Sequence, residues 1–234
     1  MIEFDGAGVE ILVQGPAGAR PRTLLAPVTC ALIERRVAVI GANGSGKSTL
    51  ARLVNGLRPA TTGSVRTCGL DVARHGAAVR AQVGFVFTDP DAQLVMPTVL
   101  EDVALSLRRT IRDPRERADR AREVLSRFGL ADHAHAPVHA LSGGQKQLLA
   151  LAGVLATDPA VLVCDEPTTL LDLRWRRTVD DLLDGLTTQV LQVTHDLDAA
   201  RRADRVLVID DARVVFDGDA EEAVATYRSL MGVR

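Results

Sequence analysis

Glycines, a lysine, hydroxyls and carboxylates fall together in three stretches: Gly41-Ala42-Asn43-Gly44-Ser45-Gly46-Lys47-Ser48-Thr49, Leu141-Ser142-Gly143-Gly144-Gln145 and Val161-Leu162-Val163-Cys164-Asp165-Glu166-Pro167. The first fits G-x-x-x-x-G-K-[ST], in which glycines let backbone N–H groups close around phosphates at a helix N-terminus. Lys47 is one of only two lysines against 26 arginines, so a compact ammonium is kept where a point charge must reach β- and γ-phosphate oxygens. Kinases and GTPases use such loops too, so this stretch alone means phosphate binding and nothing narrower. In a site of this kind Ser48 would give its hydroxyl to Mg²⁺. Asp165, at the carboxyl end of an apolar strand, would hold that ion directly or through water, and Glu166 beside it is the candidate general base for an attacking water. Ser142, Gly143 and Gly144 precede a helix expected to begin near Gln145, and together they make a second anion site. The chain already has its own phosphate loop, so the second site is expected to serve a partner's nucleotide.

In this order and spacing, with an apolar strand ending in Asp-Glu about twenty residues after Leu-Ser-Gly-Gly-Gln, the stretches resemble the nucleotide-binding subunits of ABC transporters over essentially the whole chain. The resemblance implies ATP hydrolysis by two subunits stacked head to tail, each ATP lying between the phosphate loop of one and the signature Ser142–Gln145 of the other. It places His195, in Thr194-His195-Asp196, on the γ-phosphate and the attacking water. It places Asp172, in Thr168-Thr169-Leu170-Leu171-Asp172, in a loop that crosses the dimer interface beside the catalytic glutamate and keeps the protomers in register. Two positions depart from the family pattern. Thr88 stands where a glutamine usually touches Mg²⁺ and the water, and it joins Ser48 and Asp165 as the expected metal-site residues. Its hydroxyl reaches less far than a carboxamide, so either the neighbourhood compensates, with Gln93 as a substitute, or turnover and coupling are weaker than in relatives. Val13 to Ala17 offer no aromatic on which adenine could stack.

A narrower likeness lies in Phe85-Val86-Phe87-Thr88-Asp89-Pro90-Asp91-Ala92-Gln93 and Thr98-Val99-Leu100-Glu101-Asp102-Val103-Ala104, which resemble the corresponding segment of energy-coupling factor ATPases. That implies a vitamin or metal-ion importer in which the subunit presses on a transmembrane coupling protein through the groove near Leu94 to Val99. A separate small membrane protein binds the substrate, so no residue of this chain is expected to recognise it. Asp165 to Arg174 and Ile209 to Gly218 look similar to the ATPase of biotin importers; cobalt or nickel import is the alternative within the class. A DNA-repair or chromosome-organising ABC ATPase would need a long coiled-coil or zinc insertion between loop and signature, and a translation factor would normally carry two cassettes.

The elements that must hold these residues follow from periodicity. Arg36 to Ile40 is a strand into the glycine loop; a helix follows from Lys47, with Leu50, Leu53, Val54 and Leu57 at helical spacing, closed by Gly56 and Pro59. Strands are expected at Val83–Phe87, Val161–Cys164, Val190–Val193, Val206–Ile209 and Arg213–Phe216. Helices are expected over much of Pro97 to Leu141, after the signature, and around Thr178 to Leu186. The alternation predicts an α/β fold, a P-loop NTPase of ABC type by resemblance: a mainly parallel sheet core with an antiparallel N-terminal β region and a helical subdomain. Its expected division is one domain, 1–234, with a core over about 1–87 and 146–234 and the helical subdomain over about 88–145.

With 234 residues, 47% of them hydrophobic, the chain can bury a core of that size. Its 28 basic and 30 acidic residues leave no nucleic-acid footprint. No signal peptide and no run of about 18 apolar residues is visible, so the chain itself is expected neither to enter nor to span a membrane; the resemblance then implies a peripheral protein at the cytoplasmic face of the cell membrane. Cys30, Cys68 and Cys164 lack metal or redox spacing and are expected reduced and mostly buried. His133, His135 and His139 around Pro137 read as a solvated linker, the arginines of 108–122 as a charged helix face, and Trp175 as a packing residue.

Overall fold

The structure is a computed structural model that describes residues 1–15 and 18–232; residues 16 and 17 of the stretch scanned for an adenine-stacking aromatic lie outside it. In chain order it forms β1 (Ile2–Gly15), β2 (Gly18–Leu32), β3 (Arg36–Gly41), α1 (Lys47–Leu53), β4 (Thr62–Thr67), β5 (Leu70–Asp71), α2 (Gly76–Gln82), β6 (Val83–Val86), α3 (Val99–Ser106), α4 (Pro114–Arg127), α5 (Gly143–Leu155), β7 (Val161–Asp165), α6 (Leu173–Asp184), β8 (Gln189–Val193), α7 (Leu197–Ala200), β9 (Arg205–Asp210), β10 (Arg213–Gly218) and α8 (Ala220–Leu230). Short 3-10 turns punctuate the chain between 90 and 140.

Strands β3, β6, β7, β8 and β9 read as nearly unbroken apolar runs, which only a sheet covered on both faces can bury. They form the parallel part of a six-stranded sheet, ordered β10-β9-β3-β8-β7-β6, with β10 antiparallel at one edge. Side-chain alternation then sorts the layers. Val37, Val39, Val161, Val163, Leu191 and Val193 face α1 and the antiparallel sheet β2-β1-β4-β5. Leu162, Cys164 and Val190 face the other way, into a cluster with α3, α4, α5 and α6, while Ala38, Ile40, Val206 and Val208 meet α7 and α8. Each fully buried Val or Leu contributes about 1.5–3 kcal/mol, so the sheet is the rigid body to which the loops are tied.

Where element ends differ from expectation, a local hydrogen bond decides. Helix α1 stops at Leu53, short of Leu57, because Asn55 Oδ1 takes the Leu57 N–H and Gly56 turns left-handed at φ 72°. Helix α6 starts five residues before Thr178 because Asp172 caps it by accepting the Trp175 N–H. Helix α5 starts at Gly143, two residues before Gln145. Between Pro97 and Leu141 the long helices are α3 and α4; Asp113 caps α4, with Pro114 at its first turn.

Arginines bind the layers to one another. Arg36 is fully buried beneath the sheet, ion-paired to Asp184 and donating to Gln192 Oε1 at 3.0 Å. Arg205 donates through Nε and Nη2 to the two carboxylate oxygens of Asp217, at 2.6 and 2.7 Å, and through Nη1 to the carbonyl of Ala31 and to Glu34. These bonds to Asp217 and Glu34 raise its pKa, and they join β9 and β10 to the end of β2. Burial pushes the Cys164 thiol up to about 12 and, with help from Asp217, the Cys30 thiol up to about 11, so both stay protonated and unreactive. Arg205→Ala removes this clamp, and the expected result in urea denaturation is a loss of about 2 kcal/mol without a change of fold by circular dichroism.

Candidate active site

The phosphate loop runs from the end of β3 into α1 and is shaped by what glycine permits. Gly41, Gly44 and Gly46 all have positive φ, and a Cβ on Gly41 would run into the carbonyl oxygen of Ile209. Lys47, 4% exposed, lies on the first turn of α1, and its Nζ donates to the carbonyls of Gly41 and Ala42 at 2.9 Å each. Burial lowers its pKa, and the carboxylates of Glu166 and Asp165 oppose that shift. Ala42 and Asn43 complete the curve of the loop, Ser45 is buried beneath it, and Ser48 and Thr49 follow Lys47 on the helix. A cleft of about 270 Å³ over the loop is lined by Asn43, Gly44, Gly46, Lys47, Ser48 and Thr49 and closed on other sides by Glu166, Arg22 and Leu24.

Both acids arrive from the carboxyl end of β7. Asp165 is 1% exposed; Ser48 Oγ donates to its Oδ1 at 2.7 Å, and Arg52 reaches its Oδ2 at 3.3 Å. These are two hard oxygens side by side, with no cluster of three His, Cys, Asp or Glu side chains among the described residues. That donor set suits Mg²⁺, which takes one or two protein oxygens and fills its octahedron with phosphate and water. Glu166 is held in the left-handed region at φ 52°, a strained backbone of the kind found at reactive positions. Its Oε1 lies 3.9 Å from Lys47 Nζ, and its Oε2 accepts from Thr169 Oγ1 at 2.8 Å and lies 3.3 Å from His195 Nδ1. Lys47, Ser48, Asp165, Glu166 and His195 are thus brought to one place. Thr88 Oγ1 donates to the carbonyl oxygen of Asp165 at 2.7 Å, tying the segment after β6 to the strand end that bears the acids. Gln93 does not extend toward the acids: its Oε1 accepts the Phe87 N–H at 3.2 Å.

The signature lies elsewhere on the surface. Ser142 Oγ accepts the Gln145 N–H and Gln145 Oε1 accepts the Ser142 N–H, a reciprocal cap that opens α5. Ser142 and Gly143 are exposed, whereas Gly144 is buried against the Trp175 ring, into which any Cβ at 144 would collide. Trp175 therefore packs, as expected, and its partner is the signature glycine. Asp172 caps α6 between two exposed leucines, Leu170 at 66% and Leu173 at 73%. The segment before α3 is equally ordered: Asp102 Oδ1 accepts the N–H groups of Val95 and Met96, and Thr98 and Glu101 form a capping box, leaving Val95 68% exposed.

Three residues here escaped the sequence reading. Thr169 fixes Glu166, and a hydroxyl three residues past the acid was the available signal. Arg52 sits on Asp165 one helical turn beyond Ser48. His133, placed in a solvated linker, lies 2.9 Å from Gln145 Nε2 and so supports the signature from a 3-10 turn; among the described residues the histidines form no metal cluster.

A glycine loop with a buried lysine at a helix start, facing an Asp-Glu pair at a parallel strand end, defines a P-loop nucleoside-triphosphate hydrolase. The family described as ABC transporter matches residues 33–169, and the chain belongs to it as one of its ATP-hydrolysing subunits. It is 42% identical over 229 residues to the biotin transport ATP-binding protein BioM of Rhizobium etli, covering 98% of each chain. It is 39% identical over 203 residues to the energy-coupling factor transporter ATP-binding protein EcfA1 of Ligilactobacillus salivarius, covering 84% of this chain and 72% of the other. It also superposes on the ATP-binding cassette MJ0796, solved as a dimer in a post-hydrolysis state bound to ADP and Pi, with a TM-score of 0.83, 28% identity and coverage of 94% and 99%.

A methyl group at 144 must displace Trp175 or tilt α5, and a misplacement of about 1 Å can cost a reaction about 100-fold. Gly144→Ala is therefore expected to cut hydrolysis by at least ~10-fold while ATP binding is kept, and adding Trp175→Ala to recover part of the rate. Phosphate-release kinetics beside equilibrium ATP binding check both.

Proposed function

We propose that the chain is the motor of an energy-coupling factor type importer whose cargo is biotin, working as a head-to-tail dimer at the cytoplasmic face of the cell membrane. The observation that carries this reading is the likeness to the biotin transport subunit, which runs over 98% of both chains. The exposed Leu170 and Leu173 beside Asp172, and the outward Ser142 and Gly143, support a second ATPase subunit seated on this face. No helix among the described residues is long and apolar enough to cross a membrane. Attachment is then through a transmembrane coupling protein on the rigid loop that presents Val95, which in turn contacts a substrate-binding membrane protein. The helices of the expected 88–145 subdomain carry that loop.

In this reading the loop N–H groups and the Lys47 ammonium bind the β- and γ-phosphates. Ser48 and Asp165 would hold Mg²⁺, which when bound would supply neutralisation of the charge on the phosphate oxygens. Thr88 steadies the main chain of Asp165 beside it. Thr169 and His195 occupy Oε2 of Glu166, leaving Oε1 to take the proton of the water that attacks the γ-phosphorus as the bond to ADP breaks. His195 also contacts the γ-phosphate, and Ser142–Gln145 of the other protomer complete the site.

Glu166→Gln is expected to bind ATP normally, lower turnover by more than about 100-fold and accumulate an ATP-bound dimer in size-exclusion chromatography. Turnover at the wild-type rate would remove Glu166 as the base. Purification of the tagged subunit from native membranes, with mass spectrometry of what accompanies it, tests the transporter assignment. One coupling protein plus a small biotin-binding membrane protein is the expected result; two similar permeases with a separate binding protein would refute it, and a different small membrane protein would replace biotin as cargo.

A further inference from the structure

The cleft over the phosphate loop has one wall that the hydrolysis chemistry leaves unused. Strand β2 passes so close to the loop that a Cβ on Gly46 would sit 2.7 Å from the Leu24 carbonyl oxygen, which fixes the strand relative to the triphosphate position. Two residues upstream, about 7 Å along the strand, Arg22 lines the same cleft. It is exposed, and among the described residues its side chain makes no hydrogen bond or ion pair. Its cross-strand partner is Ile11, so an aliphatic side chain stands beside it on the same face of the hairpin.

A planar guanidinium with an apolar neighbour at the edge of a phosphate cleft is a surface on which an aromatic ring stacks. We propose that Arg22 is the platform for the nucleobase, and that the site accepts purine nucleoside triphosphates without separating adenine from guanine. The two bases differ in the groups at their ring edges, and a stacked guanidinium contacts the face. The one side-chain carboxamide in the lining, Asn43, lies on the phosphate loop itself. The proposal rests on the nucleotide reading of the loop, because Arg22 acts only on a nucleotide whose phosphates the loop already holds.

Equilibrium binding of ATP, GTP and inorganic tripolyphosphate to the full chain separates the two. The wild type is expected to bind ATP and GTP within about threefold of each other. Arg22→Ala is expected to weaken both by about tenfold and leave tripolyphosphate unchanged, while Arg22→Trp, which restores a stacking face, recovers the loss. Unchanged ATP affinity in Arg22→Ala, an equal loss for tripolyphosphate, no recovery with tryptophan, or a wild-type preference for ATP above tenfold would overturn the assignment. Lys47→Ala should lose tripolyphosphate binding; if it does not, the phosphate-loop reading itself fails and the Arg22 platform with it.

Discussion

The site depends on how closely backbone can approach backbone around the phosphate loop. Gly41 lies against the carbonyl of Ile209 and Gly46 against that of Leu24, so the loop is wedged between β9 of the main sheet and β2 of the antiparallel one. Ala212, left-handed at φ 62° in the turn between β9 and β10, completes the wedge. Its N–H donates to the Ser45 carbonyl and its own carbonyl accepts from the Ala26 N–H. Three segments far apart in sequence are thus needed to curve one loop. Residues larger than glycine cannot stand at 41 and 46, because the contacts there use the space a Cβ would fill. The Arg205 clamp on Asp217, Glu34 and Ala31 then has a functional consequence, since it joins the same β9, β10 and β2 that grip the loop.

The acid pair shows how neighbouring carboxylates are given different work. Asp165 ends β7 and is buried between Ser48 and Arg52, which fix its two carboxylate oxygens in place. Glu166, one residue on, leaves the sheet at φ 52°, which turns its side chain out over Lys47 and into reach of Thr169 and His195. A left-handed glutamate costs of order 1–3 kcal/mol. Its N–H bonded to the Val193 carbonyl and its carboxylate bonded to Thr169 offset part of that cost. The left-handed backbone lets two consecutive carboxylates face different neighbours, Ser48 and Arg52 for one, Thr169 and His195 for the other.

What was legible in the sequence is what depends on local chemistry. Glycine spacing, the lone loop lysine and the continuous apolar runs of β3, β7 and β8 gave the loop, the acid pair and the layered α/β order, because each follows from a few neighbouring residues. The ends of α1 and α6 were misplaced because they are set by Asn55 and Asp172 rather than by hydrophobic period. Thr169, Arg52 and His133 were missed because their roles exist only once β7, α1 and the turn before the signature are brought together. Tertiary contact, invisible to periodicity, recruited them.

The same contacts bear on why the signature and the base belong to one chain. Glu166 is held by Thr169; three residues on, Asp172 caps α6; three further, the Trp175 ring covers Gly144 at the start of α5. A short packed run therefore connects Glu166, the base of the proposed mechanism, with the signature, which on the head-to-tail reading would grip the other nucleotide. Because Gly144 has no space between its Cα and the indole, α5 cannot shift toward α6 without moving the residue that Asp172 caps. On the head-to-tail reading proposed above, closure on the partner's nucleotide would therefore be coupled through this run to the alignment of Glu166.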